Sequence, residues 1–413
     1  MCFCDGLCGG PFQTSSYTSA MTLSAPPLRV VHLADVHLGY RRFNRLTPQG
    51  FNQREADVSL AFREAIDRAV KLKPQLTIIA GDLFHTVRPS NAIITFAFRE
   101  LRRLSEGTGA PIILIAGNHD TPRRSDSGSL LRLFGEIPGM RVADSGMERF
   151  DFPELSTSVL CLPHAVLSQP EIFEPQLGLI RADDRRRYNF LVAHAQVDPR
   201  LVSDFGGVDL ELSKLVPHEW EYIALGHVHS RLDVGHNAAY SGSLEHTSAN
   251  MWNGAKENKG FLTIDFPSGS RVFHALTSPR EIAMLPPIDG LYLSAAELME
   301  RIILSLDDLP GGIEGKMVRL ELANVTREQF RALDHRTLRG YRSRALNLTL
   351  DVRPPQARNR DEAPRRAARR PLREELVAFA EQLPGAAAKA PRLVSTVERF
   401  LKQLEEQDET RSA

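Results

Sequence analysis

From Leu28 to Leu130 the chain alternates between short apolar runs and longer amphipathic segments. Three apolar runs of strand length predict buried strands, and they are LRVVHLAD from Leu28, LTIIAGD from Leu76 and PIILIAGNHD from Pro111. Apolar residues four apart predict a helix after the first run, with Val58, Phe62 and Ile66 on one face. Ser90 can cap a second helix, which separates the second and third runs. This alternation of strand and helix indicates a largely parallel central sheet.

After Leu130 the helical segments become rare, and short strand-like runs with turns between them replace them. The runs are VLCLPHA, YNFLVAHAQ, EYIALGHVHS, AAYSGSLEH, KGFLTIDF and RVFHAL. They predict a second sheet that packs on the first. The expected fold class of residues 27–276 is therefore α/β, with a two-sheet sandwich flanked by helices.

The pattern changes again near Ser278. Two helices, SAAELMERIILSLDDL and TREQFRALDHRTLRGYRSR, and two strands, KMVRLELANV and ALNLTLDVR, predict a small α+β domain over residues 277–353. Residues 354–372 are rich in proline and arginine and predict a linker. Residues 373–413 predict a pair of amphipathic helices. Two short helices bury little apolar surface by themselves, so we expect this segment to dock on the rest of the chain or on a partner.

Composition and charge narrow the possible functions. The chain has 413 residues, 42% of them hydrophobic, and a formal net charge of zero. Attraction of the whole molecule to nucleic acid is therefore not expected, and a polyanion site would need a local basic patch. No run approaches the roughly 18 apolar residues of a membrane span, and no basic start precedes an apolar core as in a secretory signal. We expect a cytoplasmic protein with no membrane partner.

Residues 1–26 predict a disordered extension. Cys2, Cys4 and Cys8 crowd its start, but they lack the paired spacing of a zinc site. Met21 is an alternative initiator, in which case residues 1–20 would not belong to the native protein.

Five short motifs of carboxylate, imidazole and amide side chains follow the predicted strands. They are Asp35-x-His37, Gly81-Asp82, Asn118-His119-Asp120, His194 and His227-x-His229. Ligands bind at the carboxyl ends of strands in open α/β sheets, so we expect these side chains to meet there. Asp, His and Asn ligands without thiolate suit Mn²⁺, Fe²⁺ or Zn²⁺. The groups exceed the needs of one ion and suit two ions that hold a phosphate between them and activate a water.

The ordered set DxH, GD, GNHD, H and GHxH resembles the calcineurin-like metallophosphoesterases over about residues 28–275. The resemblance implies that Asp35, His37 and His229 hold one metal ion and that Asn118, His194 and His227 hold the other. It also implies that Asp82 bridges both ions and that His119 faces the phosphate. Asp120 would orient its neighbours without binding metal.

The residue three positions after the bridging aspartate narrows the resemblance. Many family members have a second aspartate there, whereas this chain has His85. This histidine, with the blocks HLADVHLG, AGNHDTPRR and YIALGHVHSRL, resembles the DNA double-strand-break repair nucleases of the SbcD type. That subfamily implies Mn²⁺, cleavage of DNA phosphodiesters by exonuclease and endonuclease action, and a nucleoid-associated homodimer. His85 would then be a second catalytic imidazole.

The same resemblance assigns roles to the C-terminal third of the chain. Residues 277–353 would be a capping domain that helps clamp DNA. The helices of residues 373–413 would bind an SMC-like ATPase of the SbcC type. The sequence contains no GxxxxGK[ST] phosphate loop, so ATP hydrolysis would have to come from that partner.

Several basic and imidazole residues lie outside the five motifs. Candidate contacts to DNA phosphates are Arg41, Arg42, Arg45, Arg88, Arg123 and Arg124. Each could equally be an exposed, solubilising side chain. The remaining histidines, among them His164, lack a partner at motif spacing and are interpreted as surface or core residues.

Two alternative functions stay open at this point. An enzyme of the same fold could act on nucleotides or small phosphodiesters, and would then have a closed pocket without an arginine-rich rim. The chain could instead be a DNA-end-binding scaffold whose catalysis is secondary. Binding that survives metal removal, without cleavage under any metal, would favour the scaffold.

Overall fold

The computed structural model describes residues 27–122, 128–197, 208–248, 250–277 and 280–355. The chain divides into two units, Met1–Pro354 and Pro355–Ala413. The predicted extension at 1–26 and the predicted helices at 373–413 lie outside the described residues, as does the linker 354–372 beyond Pro355. Among the described helices, none has the length and apolar character needed to cross a membrane.

The described residues form fifteen strands and seven α-helices. The strands are β1 Leu28–Leu33, β2 Leu76–Ile79, β3 Ile112–Ile115, β4 Met140–Ala143, β5 Glu148–Phe152, β6 Thr157–Leu162, β7 Tyr188–His194, β8 Tyr222–Gly226, β9 Leu232–Val234, β10 Ala238–Tyr240, β11 Gly260–Phe266, β12 Ser270–Ala275, β13 Ile282–Asp289, β14 Met317–Ala323 and β15 Asn347–Val352. The helices are α1 Gln53–Leu72, α2 Asn91–Thr108, α3 His164–Leu167, α4 Pro170–Phe173, α5 Ala295–Asp307, α6 Arg327–Arg331 and α7 His335–Arg344.

Two six-stranded mixed sheets pack face to face and confirm the α/β sandwich. The first sheet has the order β12-β11-β1-β2-β3-β4, and the second has the order β5-β6-β7-β8-β10-β9. Strands β1 to β4 are parallel to one another, as are β6, β7, β8 and β10. Parallel strands end at one edge of their sheet, so the residues that follow them are brought together there.

Successive side chains along a strand face opposite sides of its sheet, and this explains how the two sheets and the helices pack in layers. Along β7, Phe190 and Val192 face the first sheet, whereas Leu191 and Ala193 pack on the opposite side. The first sheet is likewise covered on its other face by α1 and α2. Strands β1 to β3 are thus almost wholly buried on both faces, which accounts for their apolar runs.

The first two helices begin where the sequence places them. Ser90 caps α2, since its hydroxyl accepts a hydrogen bond from the amide of Ile93. The side chain of Asn52 caps α1 in the same way and accepts from the amides of Arg54 and Glu55. The caps fix where each helix starts after the loop that carries the preceding motif.

One prediction about the second sheet is wrong. The runs KGFLTIDF and RVFHAL form β11 and β12, which join the first sheet. Strand β11 pairs antiparallel with β1, from Leu28 opposite Phe266 to His32 opposite Leu262. Without this partner β1 would be a buried sheet edge with unpaired backbone groups, so the long-range pairing is favoured over local pairing with β10.

A third sheet lies in residues 282–352, within the predicted α+β domain. Its strands β13, β14 and β15 are all parallel, and α5 and α7 pack on it. The helix predicted over TREQFRALDHRTLRGYRSR is two helices, because Thr326 caps α6 and Asp334 caps α7 within the same run. The domain boundary at residue 277 stays a prediction.

Candidate metal centre

Five strand ends from the two sheets converge on one point. Asp35 and His37 follow β1, Asp82 follows β2, and Asn118 follows β3 from the first sheet. From the second sheet, His194 ends β7 and the residue after β8 is His227. The loops after β1 and β2 are joined by backbone hydrogen bonds, since Asp35 N–H donates to Gly81 O at 3.1 Å and His37 N–H donates to Asp82 O at 2.9 Å. The topology alone therefore brings the motifs together.

The first cluster contains Asp35, His37 and His229, all buried, with ligand atoms within 4.8 Å of one another. The Nε2 atoms of His37 and His229 lie 2.9 Å apart. The Asp35 carboxylate accepts a hydrogen bond from the amide of His227, and the Ser248 hydroxyl lies 3.0 Å from His229 Nδ1. Facing imidazole nitrogens next to a carboxylate form a donor set that fits a divalent metal ion.

The second cluster contains Asn118, His194 and His227. The amide oxygen Oδ1 of Asn118 lies 3.0 Å from His194 Nε2 and 3.1 Å from His227 Nδ1. His194 Nδ1–H donates to the carbonyl of Ala80 at 2.8 Å. That hydrogen bond fixes the tautomer, so the lone pair of His194 is on Nε2 and points at the cluster.

Asp82 lies between the two clusters. Its Oδ2 is 3.6 Å from His37 Nε2 and 3.4 Å from His194 Nε2, and Oδ1 accepts from the backbone amide of His119 at 2.9 Å. One carboxylate oxygen thus faces a ligand from each cluster. This is the position that a carboxylate shared by two ions requires.

Burial and mutual charge set the protonation states. Burial disfavours the charged form of Asp82, but the charge and hydrogen bond of His194 outweigh it and hold the pKa of that carboxyl well below its usual range. Burial lowers the pKa of His37, and it lowers the pKa of His229 to about 3. The carboxylate is therefore ionised and these imidazoles are neutral, which are the forms that bind metal.

Two further side chains of the centre hold protons near neutral pH. Burial raises the pKa of Asp35 to about 7. Burial also disfavours the charged form of His194, yet Asp82 outweighs it and raises the pKa of His194 to about 9. Both protons must leave before these atoms bind an ion, so metal binding at this centre is coupled to proton release.

His119 and His85 form a stacked pair beside the clusters. Their ring centroids are 5.0 Å apart at an interplanar angle of 22°. His119 Nδ1–H donates to the carbonyl of His85 at 2.7 Å, so the proton of a neutral His119 ring is on Nδ1 and the basic nitrogen is Nε2. His85 Nδ1 lies 3.4 Å from His37 Nδ1, and Tyr40 packs edge-on against the His85 ring. The structure therefore places both predicted catalytic histidines at the centre.

Asp120 contacts backbone amides. Its carboxylate accepts hydrogen bonds from Leu83 N–H at 3.0 Å, Phe84 N–H at 2.9 Å and Gly117 N–H at 3.2 Å. Burial raises its pKa to about 6, and the neighbouring Asp82 acts in the same direction. The side chain ties the loop after β3 to the loop after β2, and so holds Asp82 and His85 in place.

The glycines of the motifs are required by close approach. A Cβ on Gly117 would lie 2.1 Å from Asp82 Oδ1, and one on Gly226 would lie 1.8 Å from the carbonyl oxygen of Ala80. A Cβ on Gly81 would lie 2.2 Å from His194 Nδ1. Only glycine lets these loops approach each other closely enough to bring the two sheets' ligands together.

Four of the ligand residues have backbone conformations that side chains rarely adopt. The φ angles are 53° at Asp35 and His37, 52° at Asp82 and 100° at His227. Such angles cost of order 1–3 kcal/mol per residue and persist where the surroundings impose them. At these four positions the surrounding loops impose the placement of the side chain over the local backbone preference.

The arginines proposed to contact DNA take part in intramolecular contacts. Arg41 hydrogen-bonds to Glu55, and Arg42 donates to the carbonyl of Ser248 at 3.3 Å. Arg45 donates to carbonyls at the C-terminal end of α7, including that of Ala345 at 2.6 Å. Arg88 is exposed, and Arg123 and Arg124 lie outside the described residues. A role for these arginines in DNA binding stays a prediction.

Sequence reasoning missed two residues beside the centre. Lys259 is buried, and its ammonium donates to the carbonyl of His229 at 2.8 Å, which supports a ligand-bearing loop. His164 follows β6, and its ring meets that of His194 edge to face, with centroids 6.5 Å apart. The sequence does contain a signal for His164. It follows the apolar run VLCL and a proline, and the five motifs also follow apolar runs.

Comparison with known proteins agrees with this geometry. A family model described as calcineurin-like phosphoesterase matches residues 28–231. Two similar relatives are named DNA double-strand break repair protein Mre11. The one from Methanococcus maripaludis is 29% identical over 246 residues, covering 58% of this chain and 63% of its own length. The one from Methanocaldococcus jannaschii is 28% identical over 244 residues, covering 57% and 62%.

The similarity covers part of each molecule. The chain matches a little over three fifths of the length of these two relatives. Among solved structures, a dimetal phosphatase from Danio rerio is similar at 12% identity and a TM-score of 0.35, over 57% of this chain and 91% of its own. The metal-ligand motifs from Asp35 to His229 all fall within the matched residues 28–231. Residues 28–231 are therefore a domain of the calcineurin-like phosphoesterase family.

Proposed function

We propose that this protein is a metal-dependent DNA repair nuclease that hydrolyses phosphodiester bonds, as exonuclease on duplex ends and as endonuclease on single strands. The observation that carries the proposal is the centre itself, with two ligand clusters on either side of Asp82 and the stacked His85–His119 pair beside them. The relatives named as DNA double-strand break repair proteins support DNA as the substrate.

Two ions would be held by the residues already described. Asp35, His37 and His229 would bind one, Asn118, His194 and His227 the other, and Asp82 both. Two divalent ions between them supply charge stabilisation for a phosphoryl group and a water of lowered pKa. The absence of thiolate among the described candidate ligands and the mix of carboxylate, amide and imidazole fit Mn²⁺, Fe²⁺ or Zn²⁺. Of these we propose Mn²⁺, the ion that the resemblance to the repair nucleases implies.

The protein itself contributes the His119 imidazole to the reaction, and the carbonyl of His85 orients that ring. Because Nδ1–H is committed to the His85 carbonyl, Nε2 is the nitrogen that interacts with the substrate. In its protonated form this nitrogen stabilises charge on the phosphoryl group and can deliver a proton to the leaving oxygen. The backbone amide of His119 holds Asp82, so the same residue also orients the bridging carboxylate.

His85 favours a diester substrate over a monoester. A second aspartate at this position would add negative charge beside the phosphate, whereas burial lowers the pKa of His85 to about 4 and keeps it neutral. A neutral imidazole stacked on His119 can contact the strand attached to the phosphate without repelling it. This supports a polymer of phosphodiesters as substrate.

The partners rest on the sequence resemblance. We propose an SMC-like ATPase of the SbcC type bound through the helices predicted in residues 373–413, and a homodimer of this chain. The helices predicted in residues 373–413 lie outside the described residues. Pull-down of the ATPase by the full chain, compared with a chain ending at residue 355, therefore tests the first proposal directly. Loss of capture on truncation is the expected result.

A Mn²⁺-dependent cleavage assay on end-labelled duplex DNA tests the function. Bis-p-nitrophenyl phosphate and p-nitrophenyl phosphate are measured in parallel, with His85→Ala as the variant and His218→Ala, an exposed histidine, as the control. We expect DNA degradation that His85→Ala abolishes and His218→Ala retains. Hydrolysis of the small esters with intact DNA would instead assign the protein to the small-substrate phosphodiesterases. Metal-independent DNA binding without cleavage would favour the scaffold.

A further inference from the structure

Three neighbouring parallel strands of the second sheet each lead into a histidine at the same edge. Strand β6 pairs with β7 so that Leu162 is opposite Ala193, and β7 pairs with β8 so that His194 is opposite Gly226. The residues just past this edge are His164, His194 and His227. Two of them belong to the second ligand cluster, and His164 has no role in the proposed function.

The backbone ties His164 to the other sheet. Its amide donates to the carbonyl of Ala116 at 2.9 Å, and Ala116 directly precedes Gly117 and Asn118. The ring stands at 87° to that of His194. His164 is therefore held between the loop that supplies Asn118 and the strand that supplies His194, beside the second cluster.

The ring carries a buried polar atom that lacks a protein partner. Among the described residues, no group hydrogen-bonds to His164 Nδ1, although the atom is buried. Leaving such an atom unsatisfied costs of order 1–3 kcal/mol, and most buried polar atoms in native proteins are paired. His32 has a comparable atom, but its ring is wholly buried between the sheets and contacts the Tyr222 hydroxyl, whereas the His164 ring is half-buried at the centre.

A substrate oxygen fits His164 better than a metal ion does. His194 Nε2 and His227 Nδ1 lie 3.0 and 3.1 Å from Asn118 Oδ1, whereas the His164 ring lies behind that of His194, with ring centroids 6.5 Å apart. The hydrogen-bond partner of His164 Nδ1 would therefore be a group that extends beyond the ligand cluster, such as an oxygen of a phosphodiester bound there.

We propose that His164 is a further substrate-binding residue, whose Nδ1 hydrogen-bonds to an oxygen of the bound phosphodiester on the side of Asn118, His194 and His227. The proposal rests on the phosphodiester hydrolysis proposed above. It adds a contact from the second sheet to those of His85 and His119, which follow strands of the first sheet, so the phosphate would be held by imidazoles from both sheets.

The test uses two substitutions in the full chain. His164→Phe keeps the aromatic packing and removes both nitrogens, whereas His164→Asn places an amide group near the position of Nδ1. His218→Phe, at the opposite edge of the sheet just before β8, is the matched control. Calorimetry gives the affinity of each variant for Mn²⁺ and, with Mn²⁺ bound, for inorganic phosphate. Steady-state kinetics on bis-p-nitrophenyl phosphate give KM and kcat.

We expect His164→Phe to weaken phosphate binding and raise KM by about 10- to 100-fold, the effect of losing one hydrogen bond to a charged group. The Mn²⁺ affinity should stay within about twofold of wild type, and His164→Asn should recover most of the phosphate affinity. A Phe variant with wild-type phosphate affinity and KM would overturn the proposal. So would equal losses in the Phe and Asn variants together with lost Mn²⁺ affinity, since that pattern belongs to a residue that supports the ligands.

The experiments can refute the nuclease function and the role of His164 independently of each other. If wild-type protein binds phosphate but cleaves no DNA, the nuclease function fails, while the phosphate affinities of the His164 variants still decide the role of this residue. If DNA is cleaved and His164→Phe behaves as wild type, the nuclease function stands and the His164 proposal is refuted.

Discussion

At the scale of single residues, the centre depends on Asp82. Its two oxygens face His37, His194 and the backbone amide of His119, so one side chain links both ligand clusters and the adjacent imidazole. Its charge also sets the protonation of its neighbours, since it raises the pKa of His194 to about 9 despite burial. The residue that would bridge the ions therefore also determines when the centre can accept them.

Metal affinity should depend on pH because the protons bound by His194 and Asp35 compete with the metal ion. Below pH 9 His194 holds a proton, and below pH 7 Asp35 holds one as well, so both compete with the ion. We expect Mn²⁺ affinity to weaken about tenfold per pH unit between pH 8 and 7, where one proton is displaced, and more steeply from pH 7 to 6, where two are displaced. Calorimetry at the three pH values measures this. An affinity that does not change between pH 6 and 8 would contradict the assigned protonation states.

At the scale of elements, the centre is built by loops after parallel strands that approach more closely than side chains allow. Glycines stand at each close approach, and positive φ angles at Asp35, His37, Asp82 and His227 complete the turns. Each strand end contributes one or two of the candidate ligands, and the hydrogen bonds that the Asp120 carboxylate accepts from the amides of Leu83 and Gly117 connect neighbouring loops. Loop spacing, in addition to ligand identity, therefore determines metal binding.

Adding one methyl group at the closest approach should damage the centre. In Gly226→Ala the new Cβ would meet the carbonyl oxygen of Ala80 at 1.8 Å, so backbone must move. We expect a loss of about 1–3 kcal/mol in the free energy of unfolding, together with weaker Mn²⁺ binding. Gly178→Ala, where nothing lies within 4 Å of the added Cβ, is the matched control. Urea denaturation and calorimetry give both quantities, and wild-type Mn²⁺ affinity in Gly226→Ala would refute this account of the loops.

Hydrophobic periodicity predicted the elements that carry local signals. Strands β1 to β3, helix α2 with its Ser90 cap, and the two-sheet class follow from apolar runs and capping. The pairing of β11 with β1 did not, because it joins residues more than 200 positions apart and depends on which edge is otherwise unpaired. The split between α6 and α7 was missed because Asp334 acts as a cap inside a continuous helical pattern.

The site was predictable to the extent that its residues form motifs. The strand-end motifs predicted that Asp35, Asp82 and His194 would come together, and the structure places their ligand atoms within 4.8 Å of one another. His164 had only the preceding apolar run as a signal and Lys259 had none, because a single residue outside a motif has no characteristic spacing. The intramolecular partners of Arg41 and Arg45 depend on tertiary packing, which local sequence does not reveal.

At the scale of the whole molecule, a buried charge network connects the parts that surround the centre. Arg54 on α1 is wholly buried and donates to Asp57, Glu245 and the carbonyl of His246. Arg280, which precedes the third sheet, donates to the same Asp57 carboxylate at 2.6 Å. The network thus joins the first helix, the loop after β10 that leads to Ser248, and the start of the predicted capping domain.

Removing the central charge of this network should destabilise the fold. In Arg54→Met the side chain keeps its volume, but Glu245 and Asp57 lose a buried partner. We expect the free energy of unfolding to fall by about 3–5 kcal/mol, as for other broken buried ion pairs. Arg102→Met, which removes an exposed pair with Glu106, should cost no more than about 1 kcal/mol. Denaturation in metal-free buffer compares the two variants, and equal losses would show that the network is not a stability determinant.

The most direct test of the central claim compares wild type with His119→Ala on end-labelled duplex DNA, with bound Mn²⁺ measured in the same samples. We predict that His119→Ala binds Mn²⁺ as wild type does and cleaves DNA about 100- to 10,000-fold more slowly, because it lacks the imidazole that interacts with the phosphate. Cleavage at the wild-type rate by the Mn²⁺-loaded variant would contradict the account, since the centre would then act without the residue around which its chemistry is built.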